Sequence, residues 1–365
     1  MKKTKLAMFT IFSALLIALL SACAGTAAVP QPAAQPEIAA QAEPEFHYEE
    51  DEAEEATEAS PEATEAANFP LEIVTFNFEG NEITTVYNEV PTRVVAVYQG
   101  AIETMIALGL ENHVVGSWGL DNEIRADWQA ALDLMNYDDS VFAPERETVI
   151  MLEPDLIFSW GSLFGQILGD VYYWIDSGTN TYINTNTRRG GGHPRTVENE
   201  FTDILNIGRI FNVEYRAQAI VDEMQSEIDS TLAIAQGLET QRVSIVEFRG
   251  DGGITNYPYT QLGGNMVYRL GGELAIPEIA QIGIEDLLAA DPDVIFVVYM
   301  QRYGPDGEDA TAASIAQVME NPALSTLNAV QRARVHAIML GDMFASAVRT
   351  LDGIQTFAAG MFPES

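Results

Sequence analysis

The chain is almost without cysteine and has few positive charges. Cys23 is the single cysteine in 365 residues, so no internal disulfide can form. Lysine occurs only at Lys2, Lys3 and Lys5, so every later strong cation is an arginine. Without those three lysines the formal net charge moves from −36 to −39. Such acidity excludes nucleic-acid binding through phosphate neutralisation, and adhesion to anionic lipid by charge alone. Histidine is scarce and dispersed, at His47, His113, His193 and His336. A bare-metal site needs several His and carboxylate ligands together, so none is expected. There is no Gly-x-Ser-x-Gly elbow and no His-Glu-x-x-His. The triglycine Gly190-Gly191-Gly192 lacks the Lys-Ser/Thr ending of a phosphate loop. Nothing in the residues points to an enzyme or a cofactor.

What is present begins at the N-terminus. A short positive region is followed by an apolar run from Leu6 to Leu20, then Ser21-Ala22-Cys23. The run is short of the roughly twenty residues that span a bilayer. The order reads as a secretory signal. The placement of Cys23 resembles a bacterial lipobox, which implies that residues 1–22 are a lipoprotein signal peptide and that the Cys23 thiol is diacylated. Two acyl chains suffice for stable anchoring. Residues 23–68 then read as the lipidated cysteine and a disordered acidic linker. From residue 24 on, this stretch holds twelve acidic residues and no Lys or Arg. It has too few large apolar side chains to build a core. As a flexible tether it spans about 35–40 Å root-mean-square.

Composition changes at Phe69. The alternation Leu71-Glu72-Ile73-Val74-Thr75-Phe76 with Ile83-Thr84-Thr85-Val86-Tyr87 around Gly80-Asn81 reads as a β-hairpin. Short apolar strands follow at Arg93–Val97, Val114–Gly116, Asp155–Ser159 and Thr181–Ile183, separated by helical stretches. That alternation is the signature of a parallel α/β sheet. From Val213 to Gln236, apolar residues recur at three and four, from Ala217 through Ile228 to Ala235, so one long helix is expected. The strand and helix pattern then restarts with Val243–Val246, Ile284–Ala290, Val294–Val298 and Val335–Leu340. A last helix is expected over Phe344–Ala359. The fold class is α/β, with two Rossmann-like lobes joined by one long backbone helix. The expected divisions are an N-terminal lobe with its leading hairpin over 69–212, the backbone helix over 213–237, a C-terminal lobe over 238–342, and over 343–365 a terminal helix packing back toward the N-lobe.

Four blocks carry a resemblance. They are Arg93–Val97 with Glu103, Ala107-Leu108-Gly109-Leu110 and Val114-Val115-Gly116; Glu147–Ile157; Gly264-Asn265-Met266-Val267-Tyr268; and Ile284–Ile295. In this order, with the lipobox and the long helix, the chain resembles the periplasmic binding proteins for iron–siderophores, haem and cobalamin. The resemblance covers about residues 90–361. It implies an exported substrate-binding lipoprotein of an ABC importer, anchored on the extracytoplasmic face and monomeric. Its partners would be the permease transmembrane subunits and a small iron chelate, most simply an Fe(III)–siderophore complex of hydroxamate, citrate or catecholate type. Haem or cobalamin in the same fold is the alternative. A secreted hydrolase or an adhesin is more remote. The resemblance also implies that Glu147 and Glu285, each shortly before a Pro-Asp that opens a strand, dock with permease arginines.

In α/β lobes ligands bind beyond the carboxyl ends of the strands. That rule selects Tyr98 and Gln99, Trp118, Trp160, Arg188 and Arg189 from the first half. From the second half it selects Arg249, Tyr257 and Tyr299, with Met343 and Phe344 after the last strand. Arginine suits anionic chelate oxygens, and aromatic rings supply broad apolar contact. Arg249 also matches the siderophore branch of the resemblance, where an arginine after this strand meets the ligand. One departure stands out: the family often has Ser-Pro after the first strand, whereas this chain has Tyr98-Gln99-Gly100.

Overall fold

Alternation of apolar and polar residues builds the first element. Strand β1 (Leu71–Phe76) buries Ile73, Thr75 and Phe76 and pairs antiparallel with β2 (Glu82–Tyr87). Gly80 turns the tip with φ +88°, and a Cβ there would run into the Arg189 carbonyl. The computed structural model describes residues 69–300 and 308–363. The signal over 1–22, Cys23 and the linker to residue 68 lie outside the described residues.

The N-lobe follows. Strand β3 (Val94–Val97) is apolar and buried throughout, as a strand covered on both faces must be. It leads into helix α1 (Gln99–Ala107), then β4 (Val114–Trp118), α2 (Gln129–Leu134) and α3 (Arg146–Met151). Strand β5 (Leu156–Ser159), α4 (Val171–Asp176) and β6 (Asn180–Ile183) complete the lobe's sheet. Its order is β4-β3-β5-β6, all parallel. The hairpin packs beside β6: the Ile183 N–H donates to Thr75 Oγ1 at 3.1 Å, and Asn180 Nδ2 donates to the Val86 carbonyl at 3.1 Å.

Two helices carry the chain out of this lobe. Helix α5 (Val197–Ile210) starts at Thr196, whose hydroxyl accepts from the Asn199 N–H. Helix α6 (Glu214–Ala235) is the long helix expected from periodicity, 22 residues or about 33 Å. It buries Ala217, Val221, Met224, Ile228 and Thr231, one stripe at three- and four-residue spacing.

The C-lobe begins with β7 (Arg242–Phe248), β8 (Ile254–Asn256), α7 (Leu262–Arg269), β9 (Glu273–Leu274) and β10 (Gln281–Ile282). It continues with α8 (Ile284–Ala290), β11 (Val294–Tyr299), α9 (Glu308–Met319), α10 (Asn328–Gln331) and β12 (Val335–Met339). The sheet order is β10-β8-β7-β11-β12, with β9 alongside β7. Strands β7, β9, β11 and β12 run parallel, while β8 pairs antiparallel with β7 and β10 antiparallel with β8. Side chains on the two faces of this sheet enter different cores. Val243, Ile245 and Phe296 join the larger cluster shared with the N-lobe, while Val246, Ile295 and Val297 join a smaller one. Among the described residues no helix is long and apolar enough to cross a membrane.

The C-terminal segment departs from expectation. Helix α11 (Leu340–Met343) ends before Phe344, and the last helix, α12 (Thr350–Met361), starts six residues later than the apolar pattern indicated. The intervening strap crosses to the N-lobe. Buried Glu200 of α5 accepts from the N–H groups of Ser346 (3.2 Å) and Ala347 (2.8 Å). Ala347 takes φ +47°, which a continuous helix could not contain. Helix α12 itself lies on the C-lobe sheet, with Phe357 edge-on to Phe296 at 4.7 Å. It reaches the N-lobe through Asp352, whose two oxygens each lie 2.7 Å from Arg125 Nη2.

Candidate ligand cleft between the lobes

The carboxyl ends of β3, β5 and β6 meet the segments that follow β8 and β12 at one place. Tyr98 leaves β3 with φ 92°, a strained value for a side-chain-bearing residue, fixed by a 2.7 Å bond from its N–H to the Trp118 carbonyl. That geometry turns its ring onto Trp160 at the end of β5, edge to face at 4.2 Å. Trp160 in turn lies 5.8 Å from Phe344, the first residue of the strap. The sequence-selected Tyr98, Trp160 and Phe344 therefore form one aromatic cluster that spans both lobes.

The cation in this cluster is one that sequence reasoning missed. Arg195 places its guanidinium 3.9 Å from the Phe344 ring centre, a close cation–π contact. It interacts electrostatically with Tyr98 of one lobe, Tyr257 of the other, and Glu200 beneath. Among the described residues no carboxylate lies within 4 Å of it. Burial lowers its pKa to about 10, which leaves it charged at neutral pH. Its backbone is fixed across the lobes, since the Arg195 N–H donates to the Thr260 carbonyl at 3.0 Å. The next turn is fixed likewise, with the Val197 N–H on Asn265 Oδ1 at 2.9 Å. The sequence did hold a signal. Pro194-Arg195 stands immediately before the helix-capping Thr196, in the connection from β6 to α5, beyond the carboxyl end of that strand.

Tyr257 is buried, and its hydroxyl donates to Glu247 Oε2 at 2.8 Å. Burial raises the pKa of Glu247, while Tyr257 and Arg249 lower it. Arg249 lies at the margin of this group. Its side chain folds over its own turn at Gly253 and meets Asp251 at 3.3 Å. Burial also raises the pKa of Tyr98, with Asp121 beside its hydroxyl acting in the same direction.

Four other selected residues are placed elsewhere. Arg188 and Arg189 stack on the hairpin, over Phe76 at 4.9 Å and Phe78 at 4.0 Å. Trp118 packs on Gly116 and Leu152 and donates to Asp138 at 3.2 Å, within the wall of the N-lobe. Tyr299 ends β11, paired with Met339, and is half-buried. Among the described residues no group of three His, Cys, Asp or Glu side chains is placed to hold a metal ion.

Glu147 and Glu285 occupy equivalent positions, each second in a short helix that precedes Pro-Asp and a strand. Glu147 is well exposed. A bond from its own N–H, then Arg146 at 3.2 Å, hold its carboxyl below the usual range. The Glu285 carboxylate folds back over Gly283.

A family model described as periplasmic binding protein matches residues 94–339. A search of curated proteins finds no match. Among solved structures, a periplasmic binding protein from Veillonella parvula is 30% identical with TM-score 0.74, covering 81% of this chain and 92% of its own. An ABC-type Fe3+-hydroxamate transport system protein from Saccharomonospora viridis is 19% identical with TM-score 0.63, covering 80% and 99%. The periplasmic catecholate-siderophore binding protein VctP from Vibrio cholerae is 18% identical with TM-score 0.61, covering 80% and 99%. The match over two-thirds of the sequence and the 30% identity over most of both chains show that this chain belongs to the periplasmic binding protein family, which serves ABC importers.

Proposed function

We propose that this protein captures a ferric siderophore in the cleft between its lobes and delivers it to an ABC permease, held to the extracytoplasmic face of the membrane by a lipid on Cys23. The observation that carries the reading is the cluster of Tyr98, Trp160 and Phe344 around Arg195, with Tyr257 opposite. Aromatic rings give a bulky chelate wide apolar contact, and a guanidinium without a close carboxylate is ready to bind a chelate oxygen. The names of several structural relatives point the same way: hydroxamate transport, catecholate siderophore, petrobactin and acinetobactin. A flat haem is the second reading, because the same rings suit a macrocycle and one relative binds haem.

The test is a tryptophan-fluorescence titration with ferric hydroxamates, ferric citrate, ferric catecholates, haem and cobalamin. Trp160 should report a ferric chelate by a saturable change. A response to haem or cobalamin alone transfers the reading to that ligand, and no response to any ferric chelate ends it. The same proposal gives Glu147 and Glu285 the permease contact, one on each lobe. Exposed ion pairs contribute roughly 0–1 kcal/mol each, weak enough for a delivery cycle. Glu147→Ala combined with Glu285→Ala is expected to abolish uptake while ligand affinity stays unchanged. Normal transport by the double variant would remove that assignment.

A further inference from the structure

We infer that Asn186 and Glu200 are positioning residues for the cleft: as one buried pair they hold Arg195 and Phe344 against each other before any ligand arrives. This rests on reading the cleft as the ligand site. Asn186 lies in the turn Thr185–Thr187 after β6 and is 3% exposed; Glu200 lies on α5 and is 1% exposed. Neither belongs to the aromatic cluster. Asn186 holds the segment that carries Arg195. Its Oδ1 accepts from the Thr196 N–H at 3.0 Å and from Asn199 Nδ2 at 2.8 Å, and its Nδ2 donates to the Thr196 carbonyl at 2.9 Å. One side chain thus binds both backbone groups of the residue next to Arg195. The same Nδ2 donates to Glu200 Oε1 at 2.7 Å.

Glu200 holds the strap that carries Phe344. Its Oε1 also accepts from the Ser346 N–H at 3.2 Å, and its Oε2 accepts from the Ala347 N–H at 2.8 Å. Arg195 closes the circuit, since its Nη1 donates to the Phe344 carbonyl at 3.5 Å while its guanidinium lies 3.9 Å from the Phe344 ring centre. Every polar side-chain atom of Asn186 and Glu200 is therefore bonded. A buried network satisfied in this way is rigid and specifies one arrangement. Its two outputs are the cation and the ring that the cleft offers. A segment that binding must first order subtracts its lost freedom from the affinity. Here the protein itself orders both segments, one after β6 and one after β12, so the ligand meets Arg195 and Phe344 already in place.

Two measurements test this. The first is hydrogen exchange on the ligand-free, unaltered protein, read by mass spectrometry. The Ser346 and Ala347 amides are expected to exchange at least about 100-fold more slowly than unprotected amides. Exchange at unprotected rates overturns the inference. The second is the affinity of Glu200→Gln for a ferric tris-hydroxamate, ferric citrate and a ferric tris-catecholate, followed by tryptophan fluorescence at a temperature where the variant is folded by circular dichroism. This variant keeps the side chain's size, but its amide nitrogen faces a donor whichever way it turns: Asn186 and Ser346 on one side, Ala347 on the other. Whichever chelate the unaltered protein binds is expected to bind about tenfold more weakly. Asn186→Ala should show the same loss, and it serves in place of Glu200→Gln if that variant does not fold. An unchanged affinity beside a lowered melting temperature marks the pair as merely structural and overturns the inference, while the ferric-chelate reading stands. Silence of the unaltered protein toward every ferric chelate ends that reading, and the exchange result then decides the inference alone.

Discussion

At the scale of single residues, the most consequential contact outside the cleft is a buried ion pair. Glu103 of α1 is fully buried and binds Arg349 of the strap through Nε and Nη2. Arg349 Nη2 also donates to the Glu123 carbonyl at 2.7 Å, and Nη1 lies 3.6 Å from Asp342. Removing one partner of such a pair strands the other charge away from water, which costs about 3–5 kcal/mol. Arg349→Ala should therefore lower the unfolding free energy by that amount in urea titrations. A loss under about 1 kcal/mol would mean that water reaches Glu103 and relieves it. Residue scale is also where the sequence was least informative. Arg188, Arg189 and Arg249 each sit after a strand, as the topological rule requires. Their direction is decided by partners that no local pattern reveals: Phe76 and Phe78, more than 110 residues away in the chain, and Asp251 within a five-residue turn. Arg195 was overlooked because it precedes a helix instead of ending a strand.

At the scale of elements, legibility follows the strength of the repeat. The hairpin, the buried strands of both sheets and the long helix α6 were all visible, because each writes its burial into a period of two, a continuous apolar run or a period near 3.6. The short strands β8, β9 and β10 have two or three residues each and too few positions to show any period. The strap is the most instructive difference. Phe344-Ala345-Ser346-Ala347-Val348 has the composition of a helix, yet Glu200 draws the Ser346 and Ala347 N–H groups out of helical pairing. The Tyr98-Gln99-Gly100 departure has its reason here too. Gln99 donates to Glu103 at 2.6 Å and accepts the N–H groups of Asp121 and Asn122, so it orients the partner of Arg349. A side chain at Gly100 would press on Ala347 at 3.3 Å. The loop after the first strand and the strap are thus fitted to each other, and Phe344 places the strap's first ring against Trp160.

For the whole molecule, two buried carboxyls set a pH response. Burial raises Asp203 to about 7, with Glu200 adding to the rise, and burial likewise raises Asp342 to about 7. A carboxyl whose folded pKa exceeds its unfolded value binds more protons when folded, so its contribution is present at low pH and lost as pH rises through 7. Stability should therefore increase on going from pH 8 to pH 6, by about 2–3 kcal/mol if both groups titrate fully. Thermal unfolding at the two values checks the sign, and Asp203→Asn should flatten the difference. A melting temperature that falls on acidification over this interval would show that both carboxyls are ionised in the folded protein. Burial lowers the His336 pKa, so that group opposes the trend once pH drops below its ordinary range near 6.5.

The hairpin has a mechanical consequence. Whatever precedes Phe69 enters the described fold through β1, which is joined to β2 and rests on β6 through Thr75 and Val86. A pull on that end of the chain loads this seam and the Arg188 and Arg189 stacks on Phe76 and Phe78 before it reaches any cleft residue. The hairpin thus stands as a mechanical buffer between that end of the fold and the Tyr98–Trp160 cluster.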